Sequence, residues 1–166
     1  MSLYLAVVTL VHVVISLVAI AAGGYVLLGL LRNERLDRWT GIFLWTTVAT
    51  SATGFLFPFH GFLPSHALAV ISLVLLPVAI YARYGRPFSG GWIKVYVITA
   101  VSALYLNVFV LVVQAFLKIP ALKAVAPNQT EPPFAVAQLA VLVAFVVLGA
   151  LATIRFRPTL ASAAAA

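Results

Sequence analysis

The sequence predicts an all-α protein, a polytopic bundle of about five transmembrane helices with the amino terminus outside and the carboxyl terminus inside. Three observations predict it. Of 166 residues, 64% are hydrophobic and only 8% are charged, too few charged groups to coat a soluble globule of this length. The apolar residues lie in long runs broken by proline, glycine and charge. The basic residues gather in alternate breaks, as they do around membrane spans.

The first run, 3–31, is the longest and most apolar. It has no basic start and exceeds the apolar core of a signal peptide, so it reads as a retained helix. Arg32, Arg35 and Arg38, with Glu34 and Asp37 between them, close it. The second and third runs, 40–57 and 66–81, are short, and Phe and Leu extend their flanks. A Pro- and Gly-containing segment, 57–65, separates them, and a single re-entrant hairpin is the alternative to two spans. Residues 83–94 carry Gly85, Pro87, Gly90 and Gly91 ahead of the fourth run, 92–116. A long break, 117–133, holds Pro120, Pro127, Pro132 and Pro133. The fifth run is 134–154. Residues 1–158 read as one transmembrane domain, and 159–166 as an alanine-rich tail.

Topology follows from charge. With the amino terminus outside, the inner face receives Arg32, Arg35, Arg38, Arg83, Arg86, Lys94, Arg155 and Arg157, and the outer face receives Lys118 and Lys123. The bias holds only for an odd number of spans. Trp39 and Trp92 fall at inner helix ends and Tyr4 at the outer end, as interfacial anchors do. The net charge of +7 is therefore membrane topology, and no aromatic platform or arginine-rich stretch points to nucleic acid. The chain has no cysteine, which removes disulfides, thiolate metal sites and iron–sulfur clusters.

Small and hydroxyl residues mark helix contacts. Thr9, His12, Ser16, Ala19 and Gly23 form a stripe on the first helix. Thr46, Thr50 and Thr53 form one on the second, with Thr47, Ser51 and Gly54 beside it. Asn107 and Gln114 are costlier in lipid than a hydroxyl, so each is expected to face the bundle. Asn107 reads as a helix-to-helix contact or as part of a cavity lining.

The three histidines are the most informative residues. His12 is 20 residues from Arg32, about 30 Å of helix, and so lies near the outer boundary. His60 falls in the outer break and His66 starts the third helix. Gln114, Gln138, Asn128, Gln129 and Glu131 reach the same face. Imidazole ligates haem iron, copper or zinc. His12 and His66 are the candidate haem ligands, with His60 beside them. His12, His60, His66 and Glu131 are the candidate metal ligands, and Asn107, Gln114 and Gln138 the surrounding polar groups. The alternative for each histidine is a ring resting in the headgroup zone.

The chain resembles small bacterial polytopic membrane proteins, some of which resemble membrane b-type cytochromes. The resemblance rests on Leu10-Val11-His12, on residues 53–59 leading to Pro64-Ser65-His66, on 106–110, and on 131–134. It implies haem b at His12 and His66, electron transfer, and a bacterial cytoplasmic membrane. Three histidines exclude two bis-histidine haems. The competing expectations are a small transporter lined by Thr46, Thr50, Asn107 and Gln114, an accessory subunit of a larger membrane complex or homo-oligomer, and a membrane enzyme acting on lipids or quinones. No acidic residue lies inside a run, so a carboxylate proton relay is not expected. Hydrolase motifs and phosphate-binding glycine loops are absent from the sequence.

Overall fold

The computed structural model describes residues 3–57, 64–85 and 88–158, and these are helical throughout apart from short turns. In chain order the elements are α1 (Leu3–Leu31), α2 (Asp37–Thr53) with a 3-10 extension (Gly54–Leu56), α3 (Pro64–Ile80) with a π turn (Tyr81–Gly85), α4 (Gly91–Lys118), α5 (Pro120–Val125) and α6 (Pro132–Arg155). Four helices are long and apolar enough to cross a membrane: Leu3–Leu31, His66–Gly85, Gly91–Lys118 and Pro132–Arg155. Helix α2 is shorter, at 17 residues. With its extension it still lies along most of α1, because the Tyr4 hydroxyl donates to Leu56 O at 3.3 Å at the far end from the α1–α2 turn.

Among the described residues, two helix bounds differ from the sequence expectation in an instructive way. Helix α2 begins at Asp37 rather than residue 40, since an acid in the first turn suits the helix dipole. The segment expected to be irregular over 117–133 contains α5, started by Pro120 at its first turn, where a missing N–H costs nothing.

Helices α1 to α4 form a ring. Each of α1 and α3 packs on α2 and α4, so α1 and α3 stand diagonally, and α6 lies against α4 and α1. Gly23 allows the closest approach. A Cβ there would meet Leu104 Cδ1 at 2.6 Å and the Phe43 ring at 2.8 Å. Around it the core is Val26, Leu30, Phe43, Leu44, Val97, Ala100 and Leu104. The expected α1 stripe is therefore a packing face, as small residues in membrane helices usually are. The amino-terminal half of α1 and most of α6 present apolar side chains outward, which is stable only in contact with lipid or another apolar surface.

One end of the bundle is charged and tightly tied. Asn33 takes positive φ and closes α1 with a Glu34 N–H to Gly29 O bond of 2.8 Å, satisfying a carbonyl the helix leaves open. Its Oδ1 accepts Arg157 N–H at 2.7 Å, joining the α1–α2 turn to the end of α6. At the same end Asp37 accepts from Arg83 and from Arg35 Nη2 at 3.1 Å.

Candidate functional site

Two clusters of chemistry-bearing side chains stand out, one at each end. At the charged end Arg83 is buried, although an arginine between spans reads in the sequence as topology alone. The reason is local. Pro77 interrupts the hydrogen-bond ladder of α3, and the π turn that follows carries both Ala82 and Arg83 inward. The guanidinium then lies 4.4 Å from the Phe88 ring, 5.2 Å from Tyr84 and 6.0 Å from Tyr96, and pairs with Asp37. Tyr96 and Thr40 share a hydroxyl–hydroxyl bond of 3.3 Å beside it. The cavity between these groups is about 10 Å³, room for one water at most. This end is a lock between turns.

The other end holds His12 and His66. His12 sits half-buried in a notch formed by Thr53, Gly54 and Phe57. Its Nδ1 is 2.9 Å from Thr53 Oγ1. The Thr53 hydroxyl also has Ala49 O at 2.7 Å and Thr50 O at 3.1 Å as acceptors. A hydroxyl has one proton; when Thr53 donates it to Ala49 O, the hydroxyl oxygen accepts from His12 Nδ1–H. The lone pair is then on Nε2. Phe57 meets the ring edge-on, with centroids 5.3 Å apart. A Cβ on Gly54 would lie 3.9 Å from His12 Cε1, so the notch tolerates a small residue there and little more.

His66 is buried, with 5% of its surface exposed, and stacks on Phe55 with centroids 5.7 Å apart. The two rings thus pack on different residues of the same 3-10 segment, which joins α2 to the turn before α3. Both rings therefore rest against the chain between Gly54 and Phe57. His60 lies outside the described residues. Among the described residues no three of His, Asp and Glu come together as a metal site.

The remaining polar candidates are employed in packing. Asn107 is buried and donates to Thr47 Oγ1 at 3.2 Å, a bond from α4 to α2. Gln138 donates to Phe109 O at 3.2 Å, tying α6 to α4, and Gln129 donates to Val113 O at 2.8 Å. Gln114, expected to face the bundle, is exposed instead. Asn107 and Gln114 are two turns apart and share a face. Seven residues beyond Thr47, however, is Gly54, where α2 gives way and offers no side chain. Glu131 precedes α6 and accepts from the Asn128 and Thr130 N–H groups at 3.2 and 3.0 Å and from Asn128 Nδ2 at 3.1 Å. Desolvation, the largest single contribution, raises its pKa, but the backbone and side-chain bonds together outweigh it and hold the carboxyl below its ordinary value. It is a loop clasp. Thr50 Oγ1 and the Gln138 carbonyl oxygen are buried without a partner among the described residues.

No family model, curated protein or solved structure matches this chain.

Proposed function

We propose that the chain is a five-span protein of a bacterial cytoplasmic membrane, amino terminus outside, that carries a redox metal centre at its outer face through His12. The observation that carries this reading is the 2.9 Å contact between His12 Nδ1 and Thr53 Oγ1. Metal-binding histidines commonly donate one ring N–H to a neighbour, which orients the ring and raises the basicity of the other nitrogen. Thr53 does this for His12, leaving Nε2 as the ligand atom. One such nitrogen suits a haem iron with a single protein ligand, or a transition metal completed by other donors. Such a centre would supply one-electron chemistry. The chain's own part is to hold the imidazole in one orientation and to surround it with Phe57 and the apolar outer half of α1.

The five-span count and orientation are supported by the course of α2 along α1 and by the eight-to-two division of basic residues. The test is absorption spectroscopy of the detergent-purified protein, with and without dithionite, together with metal analysis. A Soret band that shifts on reduction, or one bound metal per chain, is expected. It should be lost in His12→Ala and weakened about 10- to 100-fold in Thr53→Val. A spectrum with only the 280 nm band after expression with supplied haem, and no bound metal, would overturn the reading.

A second reading, an accessory subunit of a larger complex, is favoured by the use of Asn107, Gln129 and Gln138 as ties between elements. A stable partner recovered in stoichiometric amount from cross-linked membranes would support it. A monodisperse, stable monomer at native expression level would refute it.

A further inference from the structure

Between α4 and α6 runs an open groove of about 540 Å³. On α4 its wall is Ile98, Val101, Ser102 and Tyr105, and on α6 it includes Val146 and Gly149. Gly149 lets the helices approach, since a Cβ there would touch Val101 at 3.3 Å. The lining extends from Leu142 to Ile154 on α6, about 18 Å of helix. That is close to the depth of one leaflet's hydrocarbon, about 15 Å.

The groove ends in positive charge. Lys94 lies one turn before Ile98 on the same face of α4 and is exposed. Arg157 lies two residues past the end of α6, and its Nε donates to Ile154 O at 3.2 Å, which holds the side chain at the groove's end. Of the two acids in the α1–α2 turn, Asp37 is engaged by Arg83 and Arg35, and Glu34 is flanked in sequence by Arg32 and Arg35, so this end stays net basic. An apolar slot of one-leaflet depth, closed by two cations at the level where the helices leave the apolar zone, has the chemistry of a phospholipid with an acidic headgroup. A second copy of the chain is a poorer occupant. Pairing this face with itself would set Lys94 and Arg157 against their own counterparts.

We infer that the α4–α6 groove binds an anionic phospholipid, its acyl chain along Val101 and Gly149 and its phosphate between Lys94 and Arg157. The site is independent of His12. The test is native mass spectrometry of the full chain released from nanodiscs of equimolar phosphatidylglycerol and phosphatidylcholine. One retained phosphatidylglycerol per chain, in preference to phosphatidylcholine, is expected. Lys94→Gln and Arg157→Gln should each weaken retention about 5-fold, and the double variant about 30-fold. Ala150→Phe, an exposed groove position, should block retention without touching either cation. Circular dichroism of each variant checks that it is folded. Equal retention of the two lipids, unchanged retention in the double variant, or a dimer mass that Ala150→Phe dissolves would each overturn the assignment.

Discussion

Removing Asp37 should cost more than removing the arginine it pairs with. Arg83 has 6% of its side chain exposed and Asp37 has 39%. In Asp37→Ala the guanidinium stays buried with its charge unmatched. Breaking a fully buried pair this way costs about 3–5 kcal/mol. The faces of Phe88 and Tyr84 return part of that, about 0.5–1 kcal/mol each, which leaves about 3 kcal/mol. Arg83→Met keeps the apolar stem and leaves an aspartate that is partly hydrated and still 3.1 Å from Arg35. Its cost should be about 1.5 kcal/mol, chiefly the lost aromatic contacts and the pair itself. The double variant buries no charge and should cost about 2 kcal/mol, so the single effects sum to more than the double by about 2.5 kcal/mol. The assay is reversible unfolding in mixed micelles, read by tryptophan fluorescence, for all four proteins. Additive effects, or Arg83→Met more damaging than Asp37→Ala, would refute the argument that an unmatched guanidinium dominates.

Three further outcomes follow from the packing. Gly23→Ala should destabilise by about 1–3 kcal/mol, because Leu104 must turn away while the buried Phe43 ring has no room to move; thermal unfolding in detergent checks it, and no change would mean that α1 and α4 separate freely. Asn107→Leu should cost only about 0.6 kcal/mol, the usual worth of such a bond between membrane helices, because Thr47 still donates to Phe43 O at 2.7 Å; a loss of several kcal/mol would show that Asn107 holds something besides Thr47. The Glu131 carboxylate has a lowered pKa, so its clasp on Asn128 and Thr130 is fully present above the ordinary value of 4.5 and is lost as pH falls through the folded-state value. The protection of those two amides against hydrogen exchange, taken relative to the intrinsic rate at each pH, should therefore fall in acid, and Glu131→Gln should remove that pH dependence of protection.

The helices were readable because lipid imposes a simple rule, a long apolar run between polar breaks, and α1 follows it residue for residue. Helix contacts were readable for the same reason. The stripe through His12, Ser16, Ala19 and Gly23 is the face α1 turns to its neighbours, and Asn107 is the tie its cost predicted. Arg83 was not readable. Its burial depends on a π turn after Pro77, and a π turn has no pattern in sequence. The hint lay in the aromatics around it, Tyr84, Phe88 and Tyr96, and in one acid close to the start of α2. His12 and His66 share one end of the bundle, but their relation does not follow from depth. Depth is one coordinate, and the diagonal placement of α1 and α3 is set by the order in which helices pack around α4.

That order has a consequence for how the chain is made. The α1–α2 pair can close by itself, sealed at one end by its turn and at the other by Tyr4 and Leu56. Yet Gly23 and Phe43 find Leu104 only when α4 arrives. Until then, a nascent chain holds a helical hairpin whose intended inner face looks onto bilayer. A chain halted before residue 91 should insert but remain loosely associated, and a membrane protease should distinguish it from one that has reached Lys118. The fourth helix is thus the step at which insertion becomes folding, and lesions in its inward face should appear as degradation during synthesis before they appear as instability afterwards.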